Sequence, residues 1–259
     1  MENSRCYYRF EHLGAISFGV YEEEKIRLVE GDIFGPHRVT DTVVNLEDVR
    51  ILCPCQPSKI VAVGLNYKDH AKERSKPVPR EPLIFLKAPS AVIGPDEPIR
   101  LPRWAGRIDH EGELGIVIGR TARYVSADEA ESYILGYTCF NDVTARELQD
   151  RDIQFSRAKS FDTFAPMGPS VTSLPLVEVE QGLQIELSVD GQVRQTSTTA
   201  NMLFPVSSLI QFITRVMTLL PGDIIATGTP SGIGSLKDGD EVQVTIEKIG
   251  MLRNPVVLE

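Results

Sequence analysis

The sequence has little of what marks several protein classes. It contains 4 cysteines, Cys6, Cys53, Cys55 and Cys139, and Cys53-Pro54-Cys55 has neither the spacing of a zinc knuckle nor a second pair to complete one. These thiols fit a reduced, cytoplasmic setting better than a disulfide framework. Basic residues are in the minority, 27 Lys and Arg against 36 Asp and Glu, and the net charge of −9 argues against a nucleic-acid partner. It also means that an anionic substrate needs local cations, from a metal or from Lys and Arg. No apolar run approaches the ~20 residues that span a bilayer, and the polar N-terminus shows no signal peptide. No Gly-x-Ser-x-Gly elbow is present, which argues against a serine hydrolase. What remains is an ordinary globular composition over 259 residues, enough for one main domain with a small appendage.

The division expected is a β-rich N-terminal domain over 1–55 and a catalytic domain over 56–259. Residues 14–21 and 25–30 alternate around an acidic turn at Glu22-Glu23-Glu24 and predict a hairpin. Cys53-Pro54-Cys55-Gln56-Pro57 reads as a linker. Beyond it, strands are expected at 59–63, 83–86 and 136–140, and a short helix over 66–74. The charged, proline-rich loop at 72–80 has the character of a lid. Ser126 and Glu129 form a capping box opening one helix. Thr144 and Glu147 offer a second, for a helix over 144–152. Asp190-Gly191 is a primed hairpin turn, and 207–220 is the clearest amphipathic helix. Strands outnumber helices without regular βα alternation. The pattern therefore predicts an α+β class of mixed, mostly antiparallel sheets with short peripheral helices.

Chemistry concentrates at Asp109-His110-Glu111-Gly112-Glu113-Leu114-Gly115, which runs into the apolar strand Ile116-Val117-Ile118. Side chains two apart on a strand share a face, so Glu111 and Glu113 are aimed at one point beside a dry core. Paired buried carboxylates repel, and a divalent cation would offset that cost. Asp142, at the end of a neighbouring strand, adds a third carboxylate. Oxygen ligands without cysteine favour Mg²⁺ or Mn²⁺, with Ca²⁺ behind. By parity alone Asp109 competes for the same role, and a solvated strand face is the ordinary explanation of Glu-x-Glu.

His70 and Glu73 stand three apart on the predicted helix, close enough for the carboxylate to orient the imidazole and raise its basicity. An exposed polar pair is the bland alternative. Lys159 can supply a cation to a developing enolate, or be a surface lysine. Gln149 can reach a substrate or water from its helix, and the role of Arg146 is less clear. Residues 227–234 are glycine-rich but lack both the P-loop ending and the dinucleotide spacing. Their amides suit a carboxylate, with the Thr229 hydroxyl beside them; a tight turn between strands is the simpler reading.

Six segments in order, 64–73, 85–87, 110–115, 141–149, 158–162 and 227–234, resemble the fumarylacetoacetate hydrolase superfamily. The resemblance covers roughly residue 59 to the C-terminus, and the first fifty or so residues resemble the small N-terminal domain of some bacterial members. It implies a layered β-roll of the fumarylacetoacetate hydrolase C-terminal type and a homodimer. It also implies Mg²⁺ or Mn²⁺ held by Glu111, Glu113 and Asp142, which sets Asp109 aside. The dyad would be His70 and Glu73, on a segment that closes over substrate, and Lys159, Gln149 and Thr229 match positions that contact substrate or stabilise an enolate. Arg146 is placed with the substrate contacts. Members hydrolyse acylpyruvates and fumarylacetoacetate, isomerise or decarboxylate dienoic diacids of aromatic catabolism, or decarboxylate or tautomerise oxaloacetate. The expectation is therefore a metal-dependent enzyme that forms an enolate from a small anionic 2-oxo acid, with C–C bond hydrolysis of an acylpyruvate as the leading outcome. The alternatives are an isomerase/decarboxylase of the 2-hydroxyhepta-2,4-diene-1,7-dioate type, an oxaloacetate decarboxylase or tautomerase, and a metal-stabilised binding protein without activity. Neither nucleic acid nor membrane is expected as a partner.

Overall fold

The computed structural model describes residues 5–73 and 77–259. Its frame is a sheet of 12 strands. The path across it runs His37–Asn45, Lys25–Gly31, Ala15–Glu22, Cys6–His12, Ala165–Thr172, Ile134–Asn141, Gly112–Ile118, Ile224–Ala226, Ile60–Gly64 and Leu83–Lys87. A sheet of 5 strands, in the order Gln192–Thr198, Gln184–Val189, Glu241–Ile246, Gly250–Leu258 and Ile99–Leu101, forms a second layer. A small sheet joins Thr144–Ala145, Ile108–His110 and Gly234–Ser235. Most pairings are antiparallel; Ile224–Ala226 with Ile60–Gly64 is one of the parallel exceptions. The mixed, mostly antiparallel layered class read from the sequence is the one observed.

Period-2 alternation explains how the layers close. Leu114, Ile116 and Ile118 point into a core shared with Ile185, Leu187, Val242 and Val244 of the second sheet. Val117 points the other way, with Ile60, Ala62, Phe140 and Met167, towards Val20 and Ile33. Both faces of Gly112–Ile118 are covered, so every residue in it is buried. Each large aliphatic side chain buried in this way contributes about 1.5–3 kcal/mol.

The N-terminal hairpin turns at Glu23 and Glu24, both with positive φ, and Asp190-Gly191 does the same in the second sheet. The first strand pairs with the main sheet, Cys6 opposite Thr172 and Tyr7 opposite Val171, so the N-terminal strands extend that sheet. The capping box at Ser126 and Glu129 is present, on a 3₁₀ helix.

Three local expectations are corrected. Thr144 belongs to a two-residue strand, its hydroxyl donates to Asp142 O, and the helix starts at Arg146 without a side-chain cap. The amphipathic helix runs Val206–Val216, not to residue 220. Leu219 exchanges backbone hydrogen bonds with Ala122, which draws the chain out of the helix and leaves Val216 56 % and Leu220 42 % exposed. The helix expected over 66–74 is Lys68–Glu73; position 74 and part of the loop at 72–80 lie outside the described residues. Among the described residues no helix is long and apolar enough to cross a membrane.

Candidate active site

Glu111 belongs to no strand. It sits where the chain leaves Ile108–His110 in the small sheet and enters Gly112–Ile118 in the large one. Its amide donates to Asn141 Oδ1 at 2.9 Å, and the amide of Asp142 donates to Glu111 O at 2.8 Å. These bonds fasten the junction to the end of Ile134–Asn141. The two glutamates therefore converge, but through a break between sheets and not through parity on a single strand. Glu111, Glu113 and Asp142 are 4, 1 and 1 % exposed, and each offers an oxygen within 4.8 Å of the other two. Asp109 is held apart, one oxygen accepting from Arg107 Nε at 2.6 Å and the other from Arg146 Nε at 2.8 Å.

Cations surround the triad. Lys159, the last residue of helix Ser156–Lys159, donates to Glu111 Oε2 at 2.8 Å and to Asp142 Oδ2. Arg146 forks between Asp109, Glu111 and Gln149. Lys87, not proposed from the sequence as a site residue, is buried with its ammonium on Asp142 Oδ1 and on Val143 O at 3.2 Å. Its signal in the sequence is faint, a single cation closing the apolar strand Leu83–Lys87.

The electrostatics divide the carboxylates. Burial raises the Glu111 carboxyl, but Lys159 and Arg146 outweigh it and hold the group well below the usual range. Burial also pulls Lys159 down, and Asp142 and Glu111 more than restore it. Glu113 goes the other way. Burial, then Asp142 and Glu111, push its carboxyl well above the ordinary value. Among the described residues its hydrogen bond comes from the Gly228 amide, at 2.8 Å, and no cation pairs with it. Three converging hard oxygen donors, one of them uncompensated, fit a divalent ion.

The second group faces the same cavity. His70 is buried, and its Nδ1 lies 3.0 Å from Glu73 Oε2. The glycine-rich loop supports this pair. The Gly232 amide donates to Glu73 Oε1 at 3.0 Å, and Ser231 donates its amide and hydroxyl to Asp69 Oδ2. Loop amides do hold carboxylates, but those bound are the protein's own: Glu113, Asp69 and Glu73. Thr229 Oγ1 donates to Gly112 O at 2.9 Å. Gly232 has a φ of +100°, and a Cβ there would lie 2.1 Å from Arg194 O. The close approach requires glycine.

His70, the triad, Arg146, Gln149, Lys159 and Thr229 all line one cavity of about 250 Å³; Glu73 stands behind His70. Leu83, Phe85 and Phe155 supply an apolar wall.

Residues 59–257 match the model of the fumarylacetoacetate hydrolase C-terminal domain. The chain belongs to this family. Residues 7–54 match a second model, an N-terminal domain of the Rv2993c-like type. A mitochondrial oxaloacetate tautomerase of Bos taurus is 42 % identical over 225 residues, 83 % of this chain and 72 % of the relative. A 5-carboxymethyl-2-hydroxymuconate delta-isomerase from Mycobacterium smegmatis superposes with a TM-score of 0.91 at 42 % identity, over 98 % of this chain and 100 % of the other. A 2-hydroxyhepta-2,4-diene-1,7-dioate isomerase from Mycobacterium marinum gives 0.90 at 42 % identity, over 98 and 99 %.

Proposed function

We propose that this family member is a divalent-metal-dependent enzyme that generates an enolate from a 2-oxo acid, and that it hydrolyses the C–C bond of an acylpyruvate. The reading is carried by one observation: a buried carboxylate triad with an uncompensated Glu113 shares a cavity with the His70/Glu73 pair. Glu111, Glu113 and Asp142 would hold the ion. When bound, a divalent ion supplies electrophilic stabilisation of charge developing on the 2-oxo group.

The chain's own residues account for the rest. Glu73 occupies His70 Nδ1 and leaves Nε2 to take a proton from water. The hydroxide adds to the distal carbonyl carbon, the bond from that carbon to C3 breaks, and the electron pair stays as the enolate. Protonation at C3 then gives pyruvate beside the carboxylic acid. Lys159 and Arg146 offset the charge of substrate and enolate, and Gln149 orients water or substrate from the cavity wall.

Charge supports a dianionic reacting species. With all four ionised, as a bound ion would leave them, Asp109, Glu111, Glu113 and Asp142 exceed the buried cations Lys87, Arg146 and Lys159 by one negative charge. A divalent ion reverses it to one positive, and the half-exposed Arg107 on Asp109 adds another. The enolate of a 2-oxo acid carries two negative charges.

The wall beyond the triad favours an uncharged tail. The Phe85 ring centre is 5.0 Å from Lys159 Nζ, Phe155 stacks edge-on to Phe85 at 5.5 Å, and Leu83 shares the strand face of Phe85. Among the described residues both cations on the cavity wall, Arg146 and Lys159, contact the triad. A diacid would need a third at the far end.

A second reading, isomerisation or tautomerisation, draws on the names of the relatives, two isomerases and an oxaloacetate tautomerase. His70 would then move a proton between carbon and oxygen without water addition. Turnover of acetylpyruvate, oxaloacetate and a dienoic diacid, each with Mg²⁺ and with chelator, tests both. Equimolar acetate and pyruvate, lost with chelator, is the result expected. Interconversion of oxaloacetate tautomers without acylpyruvate cleavage selects the second reading, and equal turnover with chelator removes the metal from either.

A further inference from the structure

Strand Gln192–Thr198 forms an edge of the five-stranded sheet, and within it only Gln195 is buried. The ladder to Gln184–Val189 is irregular at that point: Leu187 pairs with Gln195, but Ser188 pairs with Val193. Leu187 points into the core, and directly opposed residues share a face, so the pairing turns Gln195 inward just before the ladder breaks. Its carboxamide lies between the strand of Glu113 and the glycine-rich loop. Gln195 Oε1 accepts from the Gly112 amide at 2.9 Å and lies 3.3 Å from His110 Nδ1. Nε2 donates to Thr229 Oγ1 at 2.7 Å and to Pro230 O at 2.8 Å. The Gly112 amide can only donate and Pro230 O can only accept, so the orientation of the side chain is determined by its partners.

The positions of those partners matter more than their number. Gly112 is the residue between Glu111 and Glu113. Thr229 and Pro230 lie between Gly228, whose amide holds Glu113, and Gly232, whose amide holds Glu73. One carboxamide therefore ties the backbone of the triad to the backbone that anchors the dyad. A buried amide is costly unless its hydrogen bonds are met, and an aliphatic residue would satisfy packing alone.

We infer that Gln195 is a positioning residue that sets the spacing between the carboxylate triad and the His70/Glu73 pair, acting through Gly112 on one side and Thr229-Pro230 on the other. The inference rests on triad and pair forming one active site, as proposed above.

Gln195→Met keeps the length and removes the hydrogen bonds. Amide hydrogen exchange over residues 66–73 and 227–234 reads the geometry without any turnover. We expect exchange there to quicken by about tenfold or more, and the Mn²⁺ dissociation constant to stay within about threefold because none of the hydrogen bonds of Gln195 reaches a triad carboxylate, whose loss of a direct partner would cost about 10–100-fold. The kcat should fall by about 10–100-fold with a smaller change in KM, as for a misplacement of about 1 Å. Combined with His70→Ala, Gln195→Met should add little further loss, because it acts through that pair. Losses that multiply, or unchanged exchange in the loop, overturn the inference. Should Gln195→Met not fold, Gln195→Asn carries the same readouts and expectations, since it keeps a neutral carboxamide but is one methylene too short to hold Gly112 and Thr229-Pro230 at once. A wild-type protein that turned over no 2-oxo acid would remove the proposed function, and the exchange measurement would still decide the role of Gln195.

Discussion

The amide of Gly232 donates a 3.0 Å hydrogen bond to Glu73 Oε1, while the other oxygen of that carboxylate holds His70 Nδ1. The orientation of the imidazole thus depends on a loop that contributes no acid or base of its own. Gly232→Ala places a methyl group against Arg194 O, at a φ of +100° that other residues rarely adopt. The loop must shift, and kcat should fall by about 100-fold. Mn²⁺ affinity, read by electron paramagnetic resonance, should change little. An unaltered kcat would separate the loop from catalysis.

His70→Ala tests the pair directly. Removing a general base costs about 10²–10⁴-fold in rate. Hydrolysis should drop by that amount with stoichiometric Mn²⁺ binding retained. Wild-type cleavage by this variant would assign the proton transfer elsewhere.

Glu113→Gln keeps an acceptor for the Gly228 amide and removes the charge. Calorimetric titration with Mn²⁺ should show affinity reduced by at least about 100-fold, beyond what loss of an outer partner brings. Affinity near that of the wild type would place the ion on other ligands.

The same carboxyl gives a pH signature. Its folded value lies well above the ordinary 4.5, because of burial and then Asp142 and Glu111. The folded chain therefore binds this proton more tightly than the unfolded chain. Its contribution to stability is complete below pH 4.5 and is lost as pH rises through the folded value. Glu111, shifted down, acts below that window. Without divalent ion, the Tm of the wild type should fall relative to Glu113→Gln as pH is raised from 4.5 towards neutrality. With saturating Mn²⁺ the relative slope should vanish, and ion uptake at neutral pH should release protons. A difference between the two proteins that is independent of pH contradicts the shift.

Arg146 bridges Asp109 and Glu111 with its side chain 6 % exposed. Arg146→Met leaves both carboxylates short of a buried partner, a loss of about 3–5 kcal/mol. Urea unfolding of the ion-free protein measures it; a change below about 1 kcal/mol would mark the bridge as dispensable.

Where local chemistry decides, the sequence and the structure agree. The Asp190-Gly191 turn and the capping box of Ser126 and Glu129 carry their conformation locally, whereas the apolar period of 207–220 runs past the true helix end because the pairing of Leu219 with Ala122 is not local. Carboxylates beside an apolar strand made a candidate cation site reachable from the residues with Asp109 and Asp142 both open as its third member, and the family resemblance chose Asp142. Lys87 was not reachable, because a lysine ending a strand reads as solvated until Asp142 is known to sit across from it. The break at Glu111 was equally hidden, since local alternation continues through a point where the chain changes sheets. Gln195 lies in a strand whose other residues are exposed or half-buried, and it faces inward because it pairs with the core residue Leu187, a register the strand's own sequence does not reveal.

The pairing of Cys6 with Thr172 and Tyr7 with Val171 has a consequence for the folding unit. A chain begun at residue 58 would bare the edge of Ala165–Thr172 and uncover the apolar layer around Val117, Phe140 and Met167. Unpaired edges of that kind recruit other chains. In this molecule the segment matched by its own family model covers that edge and part of that layer.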